Sequence, residues 1–314
     1  MRHLISLKEQ SKEDLLEIIH LAQELKAFNK VGLVTNVCSN KTLLMFFQKT
    51  STRTRLSFEA AMTQLGGHAI HLDAKSSQLL LTDFSDEIRA IMRFGDIIMF
   101  RALRVSDVER AASFNQIPVI DGCSEKYHPV QSLGDMLTMI EYSKGIQNIK
   151  KVVWLGVENN VSNTLKVLCA KLEVPITIAA PEVDRESVDK KLDALANKSG
   201  LVTYTSDIKM ALEGADYIHT DTWMNMEFFE NGKIRTQFCG EFERRKKVFL
   251  PYQLSASLVN KYAPRARIMH CMPCHVGYEI SRDAIDHKNS TIFDQAENRL
   301  HVSKGIITWL LDKK

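Results

Sequence analysis

Five short clusters carry residue types that do chemistry; four follow an apolar run and one opens a helix. The first is Ser51-Thr52-Arg53-Thr54-Arg55, directly after Thr42–Phe47. Its hydroxyls and guanidiniums stand at the expected start of a helix. A helix start offers backbone N–H groups and partial positive charge, and an arginine fork matches phosphate oxygens, so the run reads as an anion site. A capped helix with solvated arginines is the plain alternative. It is not a P-loop, because the glycines and the lysine of that motif are missing. The second cluster is Arg101, at the end of Asp96–Phe100. The third is His128-Pro129-Val130-Gln131. Pro129 suits a first helical position, which leaves His128 at the cap and Gln131 one turn in. The fourth runs from Asp221 to Met226, and the fifth is His270-Cys271-Met272-Pro273. Taken singly, each of the last four also reads as ordinary loop or surface polarity.

These side chains need elements to position them. Ser11–Asn29 reads as an opening helix. Ser11 caps it, Asp14 completes a capping box, and Leu15, Ile18, Ile19, Ala22 and Leu25 share a face. Thr42–Phe47 is continuously apolar, as a strand covered on both sides must be. A helix from Thr52 to Gly66-Gly67 follows, then a strand at Ala69–Leu72 and a helix capped by Ser85 and running to Phe94. The strand Asp96–Phe100, a helix at Val108–Phe114 and the strand Ile117–Ile120 continue the rhythm. A long helix spans Pro129–Tyr142. After Gly145 the alternation restarts, with strands at Lys151–Leu155, Ile176–Ala180, Ala215–Thr220 and Ala266–His270. Helices are expected at Val161–Leu172, Asp184–Asn197 and Ala296–Leu311. The expected fold class is α/β, with two domains of similar size, each a parallel sheet flanked by helices. The first spans residues 1–140 and the second 141–294, with interdomain helices that include a C-terminal one at 295–314 completing the first domain. Ligands of such sheets sit beyond the carboxyl ends of the strands, where all the clusters fall.

Composition narrows the function class. Of 314 residues, 45% are apolar and 25% charged, and 41 basic against 38 acidic residues leave a formal charge of +3. That balance argues against a basic nucleic-acid module. No run of apolar residues is long enough for a membrane span. The start of the chain does not read as a signal peptide. Cys38, Cys123, Cys169, Cys239, Cys271 and Cys274 are scattered. Free thiols in a cytoplasmic protein are the expectation. Cys271 and Cys274 have no second pair at zinc-ribbon spacing, so neither a metal nor a cofactor is expected.

In this order the clusters resemble the aspartate/ornithine carbamoyltransferase family over nearly the whole chain, most of all its ornithine branch. The combination Ser-Thr-Arg-Thr-Arg, His-Pro-x-Gln and His-Cys-x-Pro carries the resemblance. It implies transfer of the carbamoyl group of carbamoyl phosphate to the δ-amine of L-ornithine, yielding L-citrulline and phosphate. The first domain would bind carbamoyl phosphate and the second ornithine. Ser51, Thr52, Arg53, Thr54 and Arg101 would hold the phosphate, with Gln78 reaching a neighbouring subunit's site in a homotrimer. Thr54, Arg101, His128 and Arg299 would surround the carbonyl oxygen. Gln131 and backbone carbonyls near Cys271 and Met272 would grip the carbamoyl NH2. Asn160, Asp221, Asn225 and Met226 would bind the α-groups of ornithine, and Asp221 and Cys271 would lie near the attacking amine.

Three segments depart from the family pattern. Asn225-Met226-Glu227 replaces Ser-Met-Gly, Leu79 to Asp83 lacks the usual glycine and glutamate, and Glu158 stands where a turn glycine is common. These leave other acceptors open: putrescine, an N-acylated ornithine, or aspartate. A non-catalytic regulatory relative is the alternative outside enzymes; it should have lost part of the carbonyl-polarising set, which is complete here.

Overall fold

The computed structural model describes residues 1–78, 81–224, 228–230 and 233–312. The chain forms two compact units. Unit 1 comprises Met1–Leu137, Asn163–Leu168 and the segment from Ala296 on; unit 2 comprises Thr138–Ser162 and Cys169–Gln295.

The chain opens with α1 (Lys12–Lys30). The Ser11 hydroxyl accepts from the Asp14 N–H at 3.0 Å and the Asp14 carboxylate accepts from the Ser11 N–H at 3.1 Å, the expected capping box. Then come β1 (Thr42–Phe47), α2 (Thr52–Gln64), β2 (His68–Asp73), α3 (Phe84–Ile91), β3 (Ile97–Arg101), α4 (Val105–Ser113), β4 (Val119–Cys123) and α5 (Pro129–Ser143). The four strands form a parallel sheet in the order β2-β1-β3-β4. Two boundaries differ from expectation. α3 is capped by Asp83, whose carboxylate accepts from the Ser85 N–H at 2.8 Å, so Ser85 lies inside the helix. β4 starts after Pro118, which has no N–H for the ladder, and continues through Asp121 and Gly122 to Cys123. Gly122 is needed there, since a Cβ would lie 2.4 Å from the Met99 sulfur and 2.9 Å from the Phe100 carbonyl.

Unit 2 is built from β5 (Val152–Leu155), α6 (Asn160–Lys171), β6 (Ile176–Ala179), α7 (Lys190–Lys198), β7 (Val202–Tyr204), α8 (Ile208–Leu212) and β8 (Tyr217–Thr220). The antiparallel pair β9 (Phe229–Glu230) and β10 (Lys233–Ile234) follows, then α9 (Cys239–Phe249), α10 (Ala256–Tyr262), β11 (Arg267–His270) and α11 (Arg282–Ile285). α12 (Ile292–Leu310) closes the series. The larger sheet is parallel throughout, in the order β11-β8-β5-β6-β7. The expected single helix over 184–197 is split. Asp184 caps a 3-10 turn at Arg185–Ser187, and Asp189 then caps α7 by accepting from the Lys191 and Leu192 N–H groups. Two aspartates compete for the same role, and each starts its own turn.

The cores are those of covered parallel sheets. Leu44, Phe46, Ile98 and Phe100 are buried in unit 1, with Phe46 edge-on to Phe100 at 5.2 Å between ring centroids. Val153, Leu155, Ile218 and Ile268 fill unit 2. Burying each such side chain contributes about 1.5–3 kcal/mol. The unit boundary falls inside α5, α6 and α12, and the greater part of α12 belongs to unit 1. There it packs backbone to backbone on α1: a Cβ at Gly305 would lie 2.5 Å from the Ile18 carbonyl oxygen and 3.0 Å from the Ala22 nitrogen. Backbone atoms cannot rotate away, so Gly305→Ala is expected to destabilise by about 1–3 kcal/mol, as overpacking does. Urea unfolding of the variant beside the parent checks it; an unchanged midpoint would contradict the close approach.

Candidate active site

β1, β3 and β4 lie side by side, with Phe47 opposite Arg101 and Arg101 opposite Cys123. The segments leaving their carboxyl ends therefore emerge together. The Gln48 N–H donates to the Arg101 carbonyl at 3.0 Å, and the Gln48 side-chain oxygen accepts from the Leu103 N–H at 2.7 Å, tying two of these exits. The first exit enters α2. Ser51, its N-cap, is extended at φ −162°, and its hydroxyl donates to Thr54 Oγ1 at 3.0 Å. Arg299 of α12 donates to the same Thr54 oxygen at 3.1 Å and to Gln131 Oε1 at 3.0 Å. Gln131 Nε2 donates one turn along α5 to Asp135 at 2.8 Å, which fixes which end of the amide meets Arg299. Arg101 donates to the Cys123 carbonyl at 2.9 Å. The His128 N–H donates to Thr164 Oγ1 at 2.9 Å, anchoring the start of α5.

His128 is the electrostatic centre of this group. Its ring is buried, and among the described residues Nδ1 has no hydrogen-bond partner. Its pKa is pushed well below the usual imidazole range, first by burial and then by Arg299, Arg101, Arg53 and Lys49. A neutral ring with four cations around it makes a field suited to a multiply charged anion. Ser51, Arg53, Thr54, Arg101, His128, Gln131 and Arg299 are thus linked by hydrogen bonds or by this shared field.

Other residues stand apart. Arg55 is exposed and pairs with Glu59 at 3.1 Å, because two residues beyond Arg53 a helix has turned to another face. Thr52 is exposed at the helix start. Gln78 is exposed beyond β2, and among the described residues no hydrogen bond ties its side chain to the group. Lys49 went unnoticed in the sequence; its place in the segment leaving β1 was the available signal.

In unit 2, β11 and β8 are neighbours, with His270 opposite Thr220. Asp221 and Cys271, the next residue on each, therefore meet: the Cys271 thiol donates to Asp221 Oδ1 at 3.0 Å. The same oxygen accepts the Thr222 N–H at 2.8 Å, and Asp221 Oδ2 accepts from Asn159 Nδ2 at 2.7 Å. Asn159 also takes the Val161 and Ser162 N–H groups on its side-chain oxygen, capping the start of α6. The sequence pointed to Asn160, the first residue of α6; the direct contact with Asp221 belongs to Asn159. Met272 has φ +53°, and its N–H donates to His270 Nδ1 at 2.8 Å. Asn225 and Met226 lie outside the described residues. Asp221, His270 and Cys271 bring an oxygen, a nitrogen and a sulfur within 4.8 Å of one another, donor types a divalent ion accepts, although Asp221 Oδ1 and His270 Nδ1 already act as acceptors.

A cationic cluster on one parallel sheet and a polar carboxylate–thiol pair on another suit group transfer from an anionic donor. Comparison with known proteins gives the class a family. Residues 2–141 match the family model described as the aspartate/ornithine carbamoyltransferase carbamoyl-P binding domain. Residues 148–310 match its Asp/Orn binding domain. Relatives named ornithine carbamoyltransferase include one from Nitratiruptor sp., 38% identical over 100% of this chain and 99% of its own length. Another, from Pyrococcus abyssi, is 38% identical over 99% of this chain and 96% of its own. Among solved structures, ornithine carbamoyltransferase from Pyrococcus furiosus superposes with a TM-score of 0.88 at 37% identity, covering 99% of this chain and 97% of that one. The anabolic enzyme from Campylobacter jejuni gives 0.86 at 32% identity, with 99% of both chains covered. The chain belongs to the aspartate/ornithine carbamoyltransferase family.

The depressed His128 pKa makes a stability prediction. Unfolded, the ring titrates near 6.5; folded, it stays neutral well below that. In acid the unfolded state then binds a proton the folded state does not, so this contribution is full above 6.5 and is lost as pH falls through it. The loss is at most about 1.4 kcal/mol for each pH unit. Urea unfolding at about pH 7.5 and about pH 5.5 should show a smaller acid loss for His128→Gln than for the parent. Equal losses would mean that the ring is protonated in the folded protein.

Proposed function

We propose that the chain transfers the carbamoyl group of carbamoyl phosphate to the δ-amine of L-ornithine, producing L-citrulline and phosphate. The observation that carries this reading is the neutral, buried His128 in the field of Arg299, Arg101, Arg53 and Lys49. Relatives named for this activity along the full chain support it. Residues 1–140 with the C-terminal helix serve carbamoyl phosphate, and residues 141–294 serve ornithine, in line with the two family models.

The roles follow from charge development. Ser51, Thr52, Arg53, Thr54 and Arg101 hold the phosphate at the start of α2, where backbone N–H groups and guanidiniums favour a dianion. Thr54, Arg101, His128 and Arg299 face the carbonyl oxygen, on which negative charge grows as the amine attacks. Losing one such donor typically costs about 2.7–4 kcal/mol of barrier. Gln131 and the carbonyls of Cys271 and Met272 grip the carbamoyl NH2. Asn160, Asp221, Asn225 and Met226 take the α-groups of ornithine, and Asp221 and Cys271 stand beside its δ-amine. The amine attacks only when deprotonated, so activity rises with pH towards the amine's effective pKa. No covalent intermediate on the protein is needed; the tetrahedral adduct collapses with phosphate as the leaving group. The protein works in the cytoplasm, a setting supported by six scattered cysteines whose spacing shows no disulfide framework.

An acceptor panel with carbamoyl phosphate tests the reaction: L-ornithine, putrescine, N-acetylornithine, lysine and aspartate. Ornithine is expected to exceed the others by roughly 10²-fold or more in kcat/KM, since polar groups built for a substrate are left unmatched by analogues lacking it. Carbamoylation of another amine without citrulline formation would overturn the assignment. We further propose a homotrimer in which Gln78 completes a neighbour's phosphate site, supported by its exposure outside its own chain's cluster. Inactive Gln78→Ala and Arg101→Ala subunits, mixed and exchanged, should regain part of the activity; no recovery after verified exchange would reject the shared site.

A further inference from the structure

The Cys271–Met272 turn, which on the reading above grips the carbamoyl amine, is held by groups outside it. Met272 sits at φ +53°, in the left-handed region that side chains other than glycine seldom occupy. Such a conformation persists only where its surroundings enforce it. One contact that holds it is the 2.8 Å bond from the Met272 N–H to His270 Nδ1. A backbone N–H can only donate, so Nδ1 presents its lone pair and the ring proton is assigned to Nε2. Nε2 lies 3.3 Å from Glu279 Oε1, in an alignment short of a full hydrogen bond, and both side chains are buried. Glu279 Oε1 also accepts the His275 N–H, and Oε2 lies 3.8 Å from His275 Nδ1. One buried carboxylate thereby touches both ends of the segment from His270 to His275.

We propose that Glu279 is a positioning residue for the transfer reaction: by keeping the proton on His270 Nε2 it preserves Nδ1 as the acceptor for the Met272 N–H, and so fixes the Cys271 and Met272 carbonyls. The opposite tautomer would set two donors, Nδ1–H and the Met272 N–H, against each other, and the turn would open. Glu279 is itself fully buried and acts through the ring. The effect on transfer rests on the function proposed above; the effect on the ring does not.

The test reads both. Ring 15N chemical shifts of the substrate-free protein should show His270 unprotonated at Nδ1. Glu279→Gln keeps an oxygen that can accept from Nε2–H, so the tautomer should persist and kcat should stay within about threefold. Glu279→Met removes every acceptor at similar size; the ring should populate the Nδ1–H form and kcat should fall about tenfold, in the range seen for coupled neighbours. In a His270→Asn background the carboxamide oxygen stands in for Nδ1 and has no tautomer, so adding Glu279→Met should cost less than about twofold more. A proton found on Nδ1 in the parent protein overturns the proposal, even should Glu279→Met fail to fold. So does an equal loss from Glu279→Met in both backgrounds, which a purely structural role would give. An inactive parent with the expected ring spectrum would instead count against the proposed reaction alone.

Discussion

A buried imidazole with four cations around it stays neutral because burial keeps water from stabilising its charge and the cations oppose a further positive one. That single constraint organises unit 1. The cations come from segments far apart in the chain: the exit of β1, the end of β3 and the middle of α12. Only a parallel sheet brings the carboxyl ends of β1, β3 and β4 into one row, and only a helix packed against that row can add Arg299. Like charges so arranged repel one another, and hydrogen bonds to Thr54, Gln131 and the Cys123 carbonyl hold them in place. Positive charge fixed in this way needs no reorganisation to meet an anion.

Unit 2 solves a different problem. Its polar groups bind one another: thiol to carboxylate, carboxylate to amide, imidazole to backbone. Buried polar groups arranged this way avoid the cost of lost hydration, and they hold their orientation. Asp221 is fixed from both sides, by Cys271 and Asn159, which lie 50 and 62 residues from it along the chain.

Much of this could be read from residues alone. Thr42–Phe47 ends where expected, since a strand covered on both faces must be apolar throughout. The capping box of α1 is a local code and forms as written. Local codes fail where two residues compete: Asp83 takes the cap expected of Ser85, and Asp184 and Asp189 divide one expected helix. β7 and α8 to α11 escaped notice because they are short, exposed on one side or dense in charge, which leaves little periodicity to read. Arg53 and Arg55 look alike by density in the sequence, yet helical phase separates them. Lys49, Asn159 and Glu279 act through contacts made only after the sheets assemble, so their neighbours in sequence announce nothing.

The course of the chain has a consequence for synthesis. Unit 1 is interrupted: its strands end before Leu137, and the helix that lies against α1 through Gly305 and supplies Arg299 begins about 160 residues later. At ~5–20 residues per second, a ribosome takes roughly ten to thirty seconds to make what lies between. For that interval the seam of α1 around Ile18 and Ala22 waits without its mate, and unit 2 is itself complete only at Gln295. The nascent protein is thus most exposed to misassociation at its front half, and the anion cradle is among the last parts to close.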